Sequence, residues 1–231
     1  MARYRAADAH ARWHARGKLA FDPLYRALLA DGNLVGAGTR LLDLGCGQAL
    51  VATLLDVAGH HVARAAWPAG WSRPPKGVHY TGIDHAGTDL CRARAAAASF
   101  TRRPGLFAAD LRQATLPACD LALLIDVLHY LGPDDQEALI RRVHAVLPAG
   151  GRLLLRVGDG GGGWRQVLAD VVDRSVVAAR GGSGVRLATR PLGDWLALLE
   201  RCGFDTHAQP MHRGTPFANV LLVARRRSSG A

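Results

Sequence analysis

The chain has 231 residues, 49% hydrophobic and 21% charged, which is enough for a full domain core and too apolar for general disorder. Cys46, Cys91, Cys119 and Cys202 stand far apart with no CxxC pair, which argues against a disulfide framework and against a structural zinc site. The formal net charge is +10, carried by arginine, since the only lysines are Lys18 and Lys76. That excess reads either as codon bias or as attraction to an anionic partner. The arginines are scattered, and the one dense run is Arg225-Arg226-Arg227.

No stretch approaches about 18 uninterrupted apolar residues, so no membrane span is expected. Residues 1–19 carry charge without an apolar h-region, so a cytoplasmic protein without a secretory signal is expected.

Residues 2–16 read as a polar helix with Trp13 on one side. A second helix starts at Phe21-Asp22-Pro23, with Asp22 as N-cap, Pro23 at the first helical position and Leu24, Leu28 and Leu29 as its apolar stripe. Asp31-Gly32-Asn33 ends it.

Strands and helices then alternate. Residues 40–44 form a strand, 48–58 a helix, 79–84 a strand, 87–98 an alanine-rich helix, 106–110 a third strand and 119–125 a fourth. A helix over 134–147 is broken by Gly150-Gly151, and 152–157 make a fifth strand. Nearly continuous apolar strands separated by helices predict a parallel sheet covered on both faces. Residues 60–78, with Trp67, Trp71, Pro68, Pro74 and Pro75, read as an inserted, partly mobile loop.

Past Gly160–Gly163 the reading is a helix over 164–179, a flexible Gly181-Gly182-Ser183-Gly184 and a helix over 191–201. Strands over 204–210 and 217–224 follow, close enough together to form an antiparallel hairpin.

The informative segment is Asp43-Leu44-Gly45-Cys46-Gly47-Gln48-Ala49, which joins a strand to a helix. Glycines there allow close backbone approach to a ligand, and the helix behind presents unpaired N–H groups. Asp84 and Asp110 end the second and third strands. In an open parallel sheet, ligands bind beyond the carboxyl ends of the strands. An acid ending the second strand can accept from two ribose hydroxyls, and one ending the third from an exocyclic amine. The plainer reading is that each aspartate caps the next helix. Three of them, in order and at strand ends, favour a nucleoside site.

These residues resemble the class I S-adenosylmethionine-dependent methyltransferases over about 38–158, with LLDLGCGQA as the first motif and Ala49 where the family usually has a third glycine. The resemblance implies an α/β, doubly wound, mostly parallel seven-stranded Rossmann-like sheet with an antiparallel C-terminal hairpin. It implies a helical cap over 1–34 and an S-adenosylmethionine-binding domain over 35–231. It places Gly45, Cys46 and Gly47 along the methionine part of S-adenosyl-L-methionine, with Asp43 holding its ammonium. Asp84 takes the ribose with His85 nearby, and Asp110 with Leu111 reads adenine. Asp126-Val127-Leu128-His129-Tyr130 resembles the fourth motif, under the methyl-donor end. Asp84 follows Gly47 by 37 residues, where a unit of this kind spans about 20. The 60–78 insertion accounts for the excess and, folded back, could belong to the substrate site. A Rossmann dehydrogenase is disfavoured because Leu50 stands where the third glycine belongs.

Methyl transfer needs alignment first, and a base only for a poorly ionised acceptor. His129 is the leading base because it follows the fourth motif and histidine is the residue type suited to proton transfer near neutral pH, against the plainer reading that it packs locally. His212 and Tyr130 are weaker candidates. His10 and His14 lie four apart on a helix but no third ligand is evident, so no metal is assigned. Asp134 and Asp135 read as an N-cap pair.

The default acceptor is a small or carrier-bound organic molecule, since an Asn-Pro-Pro-Tyr motif, a Pro-Cys pair and an added RNA-binding domain are all missing from the sequence. The segment Arg12–Lys18 with Phe21-Asp22-Pro23 resembles methyltransferases of bacterial aryl polyene pigment pathways, which would make an acidic acyl carrier protein a fitting partner. The alternatives are an RNA methyltransferase, supported by charge but not by clustered basic patches, and a non-catalytic nucleotide-binding protein.

Overall fold

The computed structural model describes residues 2–158, 188–211 and 218–228. The helix expected over 164–179, the glycine runs on either side of it and His212 lie outside the described residues. Strand order is β3-β2-β1-β4-β5-β7-β6 in a seven-stranded, mostly parallel sheet, with β1 at Arg40–Leu44, β2 at His79–Asp84, β3 at Gly105–Ala108, β4 at Leu121–Ile125, β5 at Arg152–Gly158, β6 at Phe204–Pro210 and β7 at Asn219–Arg226. The chain divides into two compact units, Met1–Leu121 and Ala122–Ala231.

In the first unit β1 pairs with β2 and β2 with β3, all parallel, from Arg40 opposite His79 to Asp84 opposite Ala108. Parallel neighbours need long crossovers, and two helices supply them: α3 (Leu50–Ala63) and α4 (Gly87–Ala97). β3 is shorter than expected and stops at Ala108, so Asp110 lies two residues past the strand.

The N-terminal segment breaks where the sequence reading had one helix. A 3-10 turn at Ala2–Ala6 precedes α1 (Ala9–Phe21), because Asp8 is extended and its carboxylate accepts the Ala11 N–H at 2.6 Å, which starts a new helix there. α2 (Pro23–Ala30) begins as expected, with Asp22 accepting the Leu24 N–H at 3.1 Å and Leu24, Leu28 and Leu29 buried.

α3 runs five residues further than the sequence reading, to Ala63, so the first part of the expected loop is helical. Gly59 weakens a helix without breaking it. The rest of the insertion is ordered against α2. The Trp67 and Trp71 rings meet edge to face at 5.7 Å, the Trp67 indole donates to the Ser72 carbonyl at 3.0 Å, and the Arg26 guanidinium lies 5.6 Å from the Trp71 ring centre.

In the second unit α5 (Pro133–Val146) starts behind Gly132, which has no side chain to cap it. Asp134 and Asp135 therefore stand in the first turn, complementing the helix dipole, and are not the N-cap. α6 (Leu192–Arg201) buries Trp195, Leu198 and Leu199. β7 lies between β5 and β6 and is antiparallel to both, with Leu153 opposite Ala224 and Phe204 opposite Arg226. The expected hairpin is therefore present, its two strands being β6 and β7. Leu153, Leu154 and Leu155 are all fully buried, which explains why β5 reads as a continuous apolar run.

Candidate cofactor site

The bend after β1 is built from backbone conformations that favour glycine. Gly45 has φ +77° and Gly47 φ +50°. Ala49 also lies in the left-handed region at φ +54°, so the alanine at the family's third glycine position costs about 1 kcal/mol of backbone strain as well as a methyl group. The N–H groups of Gly45 and Cys46 both donate to the Ile83 carbonyl, at 2.8 and 3.2 Å, which fastens the bend to the end of β2. Gly82 permits that contact, since a Cβ there would lie 2.7 Å from Cys46 Sγ.

Asp84 ties the bend down a second time. Its Oδ2 accepts the Gly47 N–H and its Oδ1 the Ala86 N–H, both at 2.8 Å. Each carboxylate oxygen has two lone pairs. One further acceptor position therefore stays on each, the number that two vicinal hydroxyls need. The side chain of His85 is 83% exposed, with Nδ1 3.6 Å from Asp84 Oδ1.

Asp43 is 4% exposed and accepts the Tyr80 hydroxyl at 2.5 Å. Burial pushes its carboxyl up to about 7, against the lowering effect of Tyr80 and with a further push from the Asp84 charge. Burial, with the charge of Asp43 beside it, also drives the Tyr80 hydroxyl well up. The Cys46 thiol is raised by burial and by both aspartates, so it is an inert wall, not a nucleophile.

Asp110 differs from the other two acids. The Arg112 guanidinium forks onto it, with Nη2 at 2.5 Å from Oδ2 and Nε at 3.1 Å from Oδ1, and the Arg112 N–H reaches Oδ1 at 2.9 Å. These hydrogen bonds hold the carboxyl down at about 2. An exocyclic amine approaching Asp110 would compete with that arginine. Leu111, beside it, is buried.

Three supports were not read from the sequence. The buried Tyr4 hydroxyl donates to the Gln48 carbonyl at 2.7 Å and lies 2.9 Å from Thr53 Oγ1, bracing the bend from the N-terminal segment. The Gln48 amide reaches Asp89 at 3.4 Å, and Arg92 holds Asp89 at 3.0 Å. Tyr80 completes the set; a lone aromatic in a strand carries no signal of its own.

The second unit holds the fourth-motif residues. Asp126 follows β4 in the left-handed region at φ +56°, and its carboxylate is gripped by Arg156, whose Nε lies 2.7 Å from Oδ1 and whose Nη2 meets Oδ2. Arg156 is 1% exposed on β5. Val127 leads into a 3-10 turn at Leu128–Tyr130, where the rings of His129 and Tyr130 lie 4.1 Å apart.

The fully buried Gln136 holds that turn. Its amide nitrogen reaches the carbonyls of Leu128, Leu131 and Ala188 at 3.0, 3.1 and 2.9 Å, and its oxygen accepts Arg190 Nε at 2.6 Å. Gln136→Leu removes these hydrogen bonds and the acceptor of Arg190, so thermal or urea unfolding should show a loss of about 2 kcal/mol. A variant as stable as the parent would show that water replaces the amide.

His10 and His14 stack with ring centres 6.3 Å apart. Among the described residues, no group of three or more His, Cys, Asp or Glu is placed to hold a metal ion, and no helix is long and apolar enough to cross a membrane.

Residues 42–153 match the family model described as a methyltransferase domain. The chain is 29% identical over 127 residues to a carboxy-S-adenosyl-L-methionine synthase of Methylococcus capsulatus, an alignment that takes in 54% of this chain and 47% of that one. It thus spans about half the length of that relative. Among solved structures, an O-methyltransferase family protein from Burkholderia thailandensis superposes with a TM-score of 0.66 at 20% identity, covering 98% of this chain and 61% of that chain. Magnesium protoporphyrin IX methyltransferase from Synechocystis PCC 6803 with bound SAH superposes with a TM-score of 0.62 at 19% identity, covering 92% and 83%. Residues 42–153 thus resemble a methyltransferase domain, and the chain has the fold of the class I S-adenosylmethionine-dependent methyltransferases.

Proposed function

We propose that the protein is an S-adenosylmethionine-dependent methyltransferase acting on a small or carrier-bound organic acceptor. The observation that carries the cofactor assignment is Asp84, which pins the glycine bend and keeps one acceptor position on each oxygen. Asp43, Gly45, Cys46 and Gly47 form the methionine end, His85 flanks the ribose, and Asp110 with Leu111 faces the base. Asp126 and Val127 take a cofactor-binding role by the resemblance of their segment to the fourth motif. The helical cap spans 1–34, and the arginine-borne charge of the chain suits an acidic carrier.

When bound, the cofactor supplies a methyl group already activated by its sulfonium. Asp84 and the bend at Gly45–Gly47 would hold its ribose and methionine ends, and the methyl would pass to the acceptor's lone pair as sulfur takes back the electron pair of the carbon–sulfur bond. His129 is the base that takes the acceptor's proton where the acceptor is a hydroxyl. The chain's other residues orient and exclude water, so most of the acceleration comes from alignment.

Calorimetry with S-adenosylhomocysteine tests the first half, with micromolar binding as the expected result; no heat and no thermal shift would refute it. His129→Ala should lower methyl transfer to a phenolic acceptor by 100-fold or more, in the range of about 10²–10⁴ for a general base, while leaving the cofactor's Kd unchanged. Equal turnover would return His129 to a packing role.

A further inference from the structure

A second cavity of the first unit lies at the opposite end of the strands from the glycine bend. It has a volume of about 440 Å³ and is lined by residues just before β2 and β3, by the end of α4's connection and by one face of α3. That volume falls within the range of small-molecule sites, about 300–1,000 Å³. Its walls are apolar: Ala52, Leu55, Val78, Tyr80, Phe100 and Pro104. Its polar rim carries the cations Lys76 and Arg102, with His60 beside them.

The acid in the lining, Asp56, is already spent. Its Oδ2 meets Arg3 Nη2 at 2.7 Å and its Oδ1 accepts the Thr101 N–H at 2.9 Å. Arg102 leans on His79 Nδ1 at 3.1 Å and the Gly77 carbonyl at 3.5 Å. Asp56 also lies 3.8 Å from His60 Nδ1, so the rim charge that it does not meet is that of Lys76 and Arg102. A neighbouring hollow adds Arg64, with His61 beside it.

We propose that this cavity binds a small anion with an apolar body. The body fills the wall between α3 and β2, and the anionic group meets Lys76 and Arg102. Such a pairing places charge where water still reaches it and buries only the part that gains from burial. One wall residue, Tyr80, also donates to Asp43 at 2.5 Å, so an occupant would rest on a residue that supports the cofactor bend.

The test uses the full chain and the fluorescent probe 1-anilinonaphthalene-8-sulfonate. Saturable binding at one site is expected, and saturating S-adenosylhomocysteine should not displace the dye. Gly59→Phe should weaken it at least tenfold, because a Cβ at Gly59 meets nothing within 4 Å and the ring would enter the cavity. This change also substitutes a better helix former, so the variant should fold. Lys76→Glu with Arg102→Glu should weaken it by a similar factor, and the uncharged N-phenyl-1-naphthylamine should bind at least tenfold less well. The proposal is overturned by an absence of saturable binding, by displacement with S-adenosylhomocysteine, or by dye affinity that ignores both variants. Equal binding of the neutral probe would overturn its anionic part.

Discussion

Asp84→Ala should reduce the affinity for S-adenosylhomocysteine about 100-fold, since two hydrogen bonds to a charged acceptor, each worth about 1.5 kcal/mol, are lost together. The same change removes the acceptor of two backbone N–H groups, those of Gly47 and Ala86. Part of the loss therefore arises before any ligand arrives, as the bend loosens, and unfolding should report about 1–2 kcal/mol of lost stability. Asp84→Asn separates the two effects. Its amide oxygen can still accept from one backbone N–H and one hydroxyl, so its affinity should fall between those of the parent and the alanine variant. Asp110→Ala makes the useful contrast. Its carboxylate is half exposed and already engaged by Arg112, so removing it should cost much less than removing Asp84. Calorimetry on the three variants checks this order. A folded Asp84→Ala protein with parental affinity would remove the ribose assignment, and a larger loss at Asp110 would reverse the roles of the two acids.

The parts of this molecule that were legible in the sequence are those fixed by local pattern. Strand β2 falls on the expected residues, 79–84, between the proline-glycine stretch at 74–77 and the acid that ends it, Asp84. Helix α2 follows from Asp22-Pro23, where a single carboxylate and a fixed φ set the first turn. The three acids were visible because each follows an apolar run. What stayed hidden was made by tertiary contact. The exception is Arg112, two residues from Asp110, a local partner that nothing distinguished among the many arginines. Tyr4 and Gln48 are separated by 44 positions, and Gln136 and Ala188 by 52. Ala49 had read as a matter of one methyl group, whereas its cost lies in a backbone dihedral that only the folded bend reveals.

The buried carboxyl of Asp43 should make both stability and cofactor binding depend on pH, in opposite senses. In the unfolded chain this group ionises near its ordinary value of 3.8, whereas in the folded chain it does so at about 7. Between those values the folded protein keeps a proton that the unfolded chain has released. Stability is therefore greatest below pH 4 as far as this group is concerned, and it falls as pH rises through 7. The full difference is about 4 kcal/mol, at about 1.4 kcal/mol per pH unit. Asp43→Asn should lack that slope and should be more stable than the parent at pH 8. Bound beside Asp43, the cofactor's ammonium acts the other way, because a cation favours the ionised carboxylate. Binding below about pH 7 must then expel the proton, so affinity for S-adenosylhomocysteine should climb with pH up to the folded value and level off above it. Calorimetry at pH 6 in two buffers of unlike ionisation heat should register close to one proton released, and none for Asp43→Asn. A flat affinity profile with no proton release would mean that the ammonium does not sit on Asp43. The buried carboxyl would then belong, with Tyr80, to the framework of the bend alone.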